Sequence, residues 1–193
     1  MAVLSSVALQ LTGSAGSLVA GNESGVGRCV TVLSSIGSDA DISFMREALR
    51  EAERAGESGE VPVGAVVVQG SGIIGRGRNQ PITAGDPTAH AEVVALRDAA
   101  RTLGNYRLTG VRLYVTVEPC LMCVGAMVHA RVGTVIYGTR EPKAGAVVSA
   151  FQVLDNPALN HRVEVVEGVL ADESRELLQR FFQARRQASR ASE

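Results

Sequence analysis

The sequence has 193 residues, of which 46% are hydrophobic and 20% are charged, with a formal net charge of -1. This composition is typical of a soluble globular domain, and the near-neutral charge gives no general indication of nucleic-acid binding. No apolar run approaches the length needed to span a membrane, and three cysteines are too few for a disulfide framework. We therefore expect one folded domain in the cytoplasm.

Residues 1–40 differ from the rest of the chain. They are rich in Ser, Gly, Ala and Val and contain one basic residue, Arg28. An apolar stretch over residues 3–11 would suit a signal peptide, but no positively charged segment precedes it. We expect a low-complexity, disordered extension over residues 1–40 and a folded domain over residues 41–193. Cys29 lies in the extension, so we discount it as a metal ligand.

Hydrophobic periodicity predicts alternating helices and strands after residue 40. A helix over residues 41–56 precedes strands over 63–68 and 73–77 and a polar loop over 79–85. Further helices are predicted over 89–103, 120–130 and 171–187, and further strands over 111–117, 132–137 and 162–167. Residues 140–160 are predicted to be mostly irregular. This alternation indicates a layered α/β domain around a largely buried sheet.

Two short motifs carry the residue types of a zinc site. His90 and Glu92 form an H-x-E motif, and Cys120 and Cys123 form a P-C-x-x-C motif. Two cysteines three residues apart can share one face of a helical turn, so both sulfur atoms can reach one ion. Only three good ligands are evident, and a site with three protein ligands and an open position is typical of catalytic zinc.

Glu92 is the acidic side chain that remains. Residues two apart in a helix point in different directions, so Glu92 and His90 would make an awkward pair of ligands. Zinc lowers the pKa of a water ligand to about 7, and a neighbouring carboxylate can take up a proton and return it to a substrate. We therefore predict proton transfer as the role of Glu92.

Both motifs also carry signals for the start of a helix. Asp86 followed by Pro87 is typical of an N-cap with proline at the first helical position, and Pro119 stands in a similar place before Cys120. Helix N-termini favour negative charge, which lowers the pKa of a thiol and favours the thiolate that binds metal.

An H-x-E motif followed by P-C-x-x-C is the signature of the zinc-dependent deaminases. Other strings resemble the bacterial tRNA-specific adenosine deaminases: VPVGA (61–65), NQPI (79–82), DPTAHAE (86–92), NYRL (105–108), NHRVE (160–164) and FFQARR (181–186). The resemblance runs from about residue 42 to about residue 187. It implies a three-layer α/β/α, cytidine-deaminase-like fold with a five-stranded mixed sheet flanked by helices.

The resemblance also implies a reaction and its partners. It implies one zinc ion per subunit, no organic cofactor, and hydrolysis of adenosine to inosine at the wobble position of a tRNA anticodon, with an arginine tRNA expected. A homodimer would bind the anticodon stem-loop, and the side chain of Asn79 and the backbone around Ala91 would hold the base. Phe182, Arg185 and Arg186 would contact the RNA, whereas helical spacing alone favours a core position for Phe182 and a solvated face for the arginines.

Two stretches depart from the family pattern. Glu141-Pro142 stands where the family commonly has an Asp two residues before Lys143, and residues 147–150 replace a more usual Gly-Ser-Leu run. Both stretches lie in a loop that is expected to help shape the RNA site. They bear on how the RNA is recognised and leave the predicted chemistry unchanged.

Two other functions remain open. The signature fits equally well a deaminase of a free nucleobase or nucleoside, such as cytosine or guanine. Residues 160–186 favour RNA, because a small-molecule site would not need them. The third possibility is a non-catalytic tRNA-binding protein with a structural zinc, which would take a fourth ligand from Cys29, His129 or His161.

Overall fold

The computed structural model describes residues 32–33 and 37–191, which form a mixed sheet between two layers of helices. The elements in chain order are β1 (Val32–Leu33), α1 (Asp39–Glu57), β2 (Gly64–Gln69), β3 (Gly72–Arg78), α2 (Pro81–Ala84), α3 (Ala91–Leu103), β4 (Arg112–Val117), α4 (Leu121–Ala130), β5 (Thr134–Thr139), a 3-10 turn (Val153–Asp155), β6 (Glu164–Glu167) and α5 (Ala171–Ala191). The predicted α/β/α layering is confirmed. In the part of the chain that the structure describes, no helix combines the length and apolar character needed to cross a bilayer.

The strands lie in the order β1-β6-β5-β4-β2-β3. Strands β4, β5, β6 and β1 run parallel to one another, whereas β2 runs antiparallel to both β4 and β3. The five predicted strands are all present, and β1 adds a sixth at the edge, where Val32 pairs with Val165. A two-residue strand has no periodic pattern, so the sequence did not predict it. The rest of the extension that we expected to be disordered lies almost entirely outside the described residues.

Side chains of the central strands alternate between two cores. On one face, Leu113 and Val115 of β4 pack in a core that also contains buried residues of α3 and α4. On the other face, Tyr114 packs with Met45 and Ala48 of α1, and α5 lies against α1 and the central strands on that side. Each fully buried aliphatic or aromatic side chain stabilises the fold by roughly 1.5–3 kcal/mol. The sheet therefore separates α3 and α4 from α1 and α5.

Helix α1 begins before its predicted start. The backbone N–H of Asp41 donates to the hydroxyl oxygen of Ser38 at 3.2 Å, and the backbone N–H of Ser38 donates to the carboxylate of Asp41 at 3.0 Å. This capping box satisfies donors that the first turn leaves unpaired, and an N-cap of this kind stabilises by about 1 kcal/mol. The folded part of the chain thus reaches back to Ser38, inside the segment that the sequence assigned to the extension.

Two glycines in β3 allow α3 to lie very close to the sheet. A Cβ atom at Gly77 would lie 2.2 Å from the carbonyl oxygen of Ala91, and one at Gly75 would lie 2.5 Å from that of Ala95. Both distances are far below a van der Waals contact, so a larger residue would push α3 away. The first turn of α3, which carries the H-x-E motif, is thereby held against β3.

Candidate active site

The residues of the two motifs meet at the N-termini of α3 and α4. His90 is the N-cap of α3, Cys120 is the N-cap of α4, and Cys123 lies in the first turn of α4. Neither side chain forms a capping hydrogen bond to its own helix, and the imidazole of His90 contacts the thiol of Cys120. The partial positive charge of the two helix ends favours thiolates at this point.

The predicted N-cap at Asp86 is wrong, because α3 begins at Ala91. Asp86 closes a local turn, in which its Oδ1 accepts from the backbone N–H of Thr88 at 2.8 Å and from the Thr88 hydroxyl at 2.7 Å. Arg97 of α3 donates to the other carboxylate oxygen at 3.2 Å. An Asp that forms such a turn has the same sequence signature as an N-cap. The turn places His90 at the N-cap position, one residue before α3 begins.

The three predicted ligands have the spacing of a tetrahedral zinc site. Nδ1 of His90 lies 3.6 Å from Sγ of Cys120 and 3.7 Å from Sγ of Cys123, and the two sulfur atoms are 3.7 Å apart. Zn–S bonds of about 2.3 Å and a Zn–N bond of about 2.0–2.1 Å in tetrahedral geometry place ligand atoms roughly 3.5–3.8 Å from one another. The donor set therefore fits zinc. Within residues 32–33 and 37–191, no other His, Cys, Asp or Glu joins the group.

The three donors shift one another's pKa through their mutual contacts. The pKa of Cys120 is lowered to about 4, chiefly by its hydrogen bond with Cys123, and the pKa of Cys123 is raised by the same hydrogen bond and by burial. The pKa of His90 is raised, first by its hydrogen bond with Cys120. A metal requires both thiols deprotonated and the imidazole neutral, so metal binding would release protons from this group.

The carboxyl group of Glu92 lies beside the donors. Glu92 is in the first turn of α3 with only 4% of its surface exposed, two residues after His90. Burial raises the pKa of Glu92, an effect that a nearby divalent cation would oppose. The site thus contains a sheltered acid next to three ligands.

Asn79 and Ala91, both predicted to hold the base, form a hydrogen bond with each other. The backbone N–H of Asn79 donates to the carbonyl of Val63 at 3.0 Å, and its side-chain Oδ1 accepts from the backbone N–H of Ala91 at 3.0 Å. Ala91 therefore orients the amide of Asn79 and has no N–H left for a ligand. None of the described residues accepts a hydrogen bond from the amide NH2 of Asn79, so this donor is available to a bound molecule.

Comparisons with known proteins agree with this geometry. Residues 39–186 match the profile of the MafB19-like deaminase family. The chain is 48% identical over 151 residues to the tRNA-specific adenosine deaminase of Haemophilus influenzae, an alignment that covers 78% of this chain and 87% of that protein. It is 49% identical over 139 residues to the enzyme of the same name from Aquifex aeolicus, covering 72% of this chain and 91% of that protein.

The chain belongs to the tRNA-specific adenosine deaminase family. Its structure also resembles one solved in a study of A-to-I editing by tRNA:A34 deaminases at the wobble position of transfer RNA. The two chains are 44% identical with a TM-score of 0.69, and the match covers 70% of this chain and 99% of the other. This similarity confirms the cytidine-deaminase-like fold.

The predicted RNA contacts of this deaminase lie on a separate surface. Phe182, Arg185 and Arg186 line an open groove of about 570 Å³ on α5, which is on the opposite face of the sheet from α3 and α4. Phe182 is 44% exposed, so the core position that helical spacing favoured is wrong. Arg185 donates to the carbonyl of Gly59 at 3.2 Å and lies over the ring of Phe181, and both Arg185 and Arg186 are exposed.

The other histidines are not part of the zinc site. His129 is exposed on the outer side of α4, and Nε2 of His161 lies 2.6 Å from the carbonyl oxygen of Val132. Cys29 lies outside the described residues. A structural zinc would need a fourth ligand, and neither of these two histidines is positioned to provide it.

Two buried carboxylates near the site were missed from the sequence. Glu60 is 1% exposed and accepts from the backbone N–H of Thr83 at 2.7 Å, which ties the segment before β2 to α2. Glu118 is 3% exposed and follows β4 directly. In the sequence, Glu118 is a single charged residue at the end of a run of strand-forming residues. Burying a carboxylate there without hydrogen-bond partners would be costly, so its position indicates that such partners exist.

Proposed function

We propose that this deaminase hydrolyses adenosine to inosine at the wobble position of a tRNA anticodon, in the cytoplasm, with one zinc ion per subunit. The observation that carries the proposal is the tetrahedral spacing of the His90, Cys120 and Cys123 donors beside the buried carboxyl of Glu92. The relatives of this chain are named for tRNA adenosine, and their names support the choice of substrate.

His90, Cys120 and Cys123 would hold the zinc. When bound, zinc supplies a Lewis acid that lowers the pKa of a coordinated water to about 7. Glu92 would take a proton from the attacking water and give it to the adenine ring nitrogen beside C6. Bonding of the water oxygen to C6 and breakage of the bond from C6 to the amino nitrogen would then give inosine, with Glu92 carrying the second proton of the water to the amino group as it leaves as ammonia.

Asn79 would orient the base during this reaction. Its Oδ1 is fixed by the Ala91 N–H, so its NH2 points in one defined direction as a donor to the nucleoside. The target base must leave its stack to reach the site. Leaving the stack is inexpensive in a single-stranded anticodon loop, which makes such a loop a better substrate than a duplex.

We also propose that the enzyme acts as a homodimer through the outer faces of α3 and α4. These helices border an open, mainly apolar groove of about 350 Å³, lined by Val93, Leu96 and Ala126 among others. Tyr106, which also lines the groove, is 68% exposed. Apolar surface of this kind is typical of an interaction site. Sedimentation equilibrium should give twice the chain mass of 20.2 kDa, and a monomer would contradict the proposal.

The test of the function is an RNA-editing assay. The zinc-loaded protein is incubated with an unmodified arginine tRNA that carries an ACG anticodon, and inosine is identified by sequencing. Free adenosine, cytidine and guanine are assayed in parallel. We expect inosine at the wobble position and no change in the free compounds. Turnover of a free base without any change in the tRNA would favour the alternative function.

The groove on α5 is proposed to bind phosphates of the anticodon stem-loop. We expect the double substitution Arg185→Ala/Arg186→Ala to weaken tRNA binding and to flatten its salt dependence by roughly 0.7–0.9 units of log–log slope per lost phosphate contact. Zinc content should stay unchanged, and kcat at saturating tRNA should fall much less than kcat/KM. The measurements are tRNA affinity at several salt concentrations and single-turnover rates.

Arg175→Ala provides the matched control on the same helix. Arg175 is exposed and pairs with Asp172 in the first turn of α5, about 16 Å along the helix from Arg186 at 1.5 Å per residue. Its removal should leave the salt slope unchanged. A slope that is also unchanged in the double variant would mean that the arginines are a solvated face and that α5 does not bind RNA.

A further inference from the structure

Glu118 accepts an unusual number of hydrogen bonds from a single loop. Its Oε1 accepts from the backbone N–H groups of Val147, Val148 and Ser149 at 3.1, 2.8 and 2.9 Å. Its Oε2 accepts from the backbone N–H of Glu141 at 3.1 Å and from the Ser149 hydroxyl. A buried carboxylate is stable only when its lone pairs are satisfied, and here the 141–149 loop supplies the donors given above.

The same loop lies against the segment that carries the zinc ligands. Gly145 forms a bridge with Cys120, and the backbone N–H of Ala146 donates to the carbonyl of Pro119 at 2.8 Å. A Cβ atom at Gly145 would lie 2.5 Å from the carboxylate of Glu118, so only glycine permits this close approach. The loop is therefore clamped between the carboxylate and the start of α4.

The clamped loop presents an exposed aromatic ring. The carbonyl of Gly145 accepts from the backbone N–H groups of Ala150 and Phe151, both at 3.0 Å. Phe151 follows directly and is 51% exposed. The chain of contacts runs from Glu118 through Gly145 to Phe151, and Gly145 is also the neighbour of Cys120. The position of the ring relative to the zinc ligands is thus set through Glu118.

We propose that Glu118 is a positioning residue that holds Phe151 as a stacking surface for an unpaired RNA base next to the one that is deaminated. Bases of single-stranded RNA stack on aromatic side chains, and this contact tolerates different bases because each has a π-face. Glu118 itself does not touch the substrate. The proposal rests on the proposed function, since it assigns part of the recognition of the same tRNA.

The test is a double-mutant cycle of Glu118→Gln and Phe151→Ala in the zinc-loaded enzyme. A glutamine side chain has one acceptor oxygen, so its NH2 group would oppose a loop N–H and loosen the loop. Loss of base stacking should raise KM for the tRNA roughly fivefold or more in each single variant, with little change in kcat or in zinc content. The double variant should have about the KM of the worse single variant, because both changes remove the same contact.

Asp41→Asn is the matched control. Asp41 is a partly buried carboxylate that accepts from the hydroxyl of Tyr114 at 2.7 Å, in the layer of α1 on the other face of the sheet. Its loss should lower the melting temperature without changing KM. The proposal would be overturned if the increases in KM of the two single variants multiplied in the double variant, or if kcat fell while KM stayed unchanged. If Glu118→Gln fails to fold, Phe151→Ala still tests the proposal, because Phe151 is exposed and its replacement should not disturb folding. An unchanged KM in Phe151→Ala would also overturn the proposal.

Amide hydrogen exchange tests the positioning role of Glu118 independently of the deamination reaction. If the wild-type protein leaves tRNA unmodified, the proposed function fails. The positioning role is still judged by amide exchange over residues 141–151, measured by mass spectrometry. Faster exchange in Glu118→Gln, confined to this loop and absent in Asp41→Asn, supports it, and unchanged exchange overturns it.

Discussion

Replacing Glu92 by alanine should lower the single-turnover rate of tRNA deamination by roughly 10²–10⁴-fold, the usual contribution of a positioned proton carrier. The variant should still bind about one zinc ion per chain, because the three donors at mutual distances of 3.6–3.7 Å do not include the carboxylate. Zinc is measured by mass spectrometry on the protein used for the rates. Affinity for tRNA should change little.

Glu92→Gln is the closest control for this change. It keeps the size of the side chain and its place in the first turn of α3, and it removes only the ability to exchange a proton. Both variants should be equally inactive. Loss of zinc in either variant would identify Glu92 as a ligand, and an active Glu92→Gln variant would remove it from the chemistry.

Replacing Cys123 by alanine should abolish zinc binding and with it the reaction. Cys123 is fully buried, and its removal would leave two protein donors for the ion, too few for a stable zinc site. A metal that binds only the folded state raises the free energy of unfolding, by about 4 kcal/mol at a concentration 1,000 times its Kd. The melting temperature of the wild-type protein should therefore rise with added zinc, and that of the variant should not.

His129→Ala is the control for this experiment. His129 is an exposed residue of α4, the helix that carries Cys123 in its first turn. Its removal should leave the zinc content and the zinc-dependent shift in melting temperature intact. A loss of zinc in His129→Ala would point to a fourth protein ligand and so to a structural role for the metal.

The candidate metal-binding residues were easier to predict from the sequence than the bounds of the helices that carry them. The grouping of the candidate donors could be predicted from residue types and spacing, because few side chains bind zinc and two cysteines in one helical turn bring their sulfurs together. The start of α3 was misplaced, because Asp86 has the same pattern whether it caps a helix or closes a turn with Thr88. The difference depends on Arg97, which comes later in the chain and gives no local signal.

Long-range contacts explain what else the sequence could not predict. Glu118 is read as an ordinary acid until the fold places a loop of residues 141–149 around it. Phe182 has the spacing of a core residue, yet the end of α5 has no layer above it, and the ring stays 44% exposed. Burial on a helix depends on what the helix meets, and its own periodicity does not reveal where the neighbours end.

The two-residue strand β1 bears on the tendency of the protein to aggregate. A sheet edge that offers unpaired N–H and C=O groups can recruit a strand from another molecule. Val32 and Leu33 occupy that position beside Val165 and Val166 of β6. A chain shortened to begin at Gly37 would keep the capped α1 and the His90, Cys120 and Cys123 donors, but it would leave Val165 and Val166 of β6 at an unpaired sheet edge. The shortened chain would tend to aggregate at high concentration by pairing strands between molecules, although the residues of the candidate active site would stay in place.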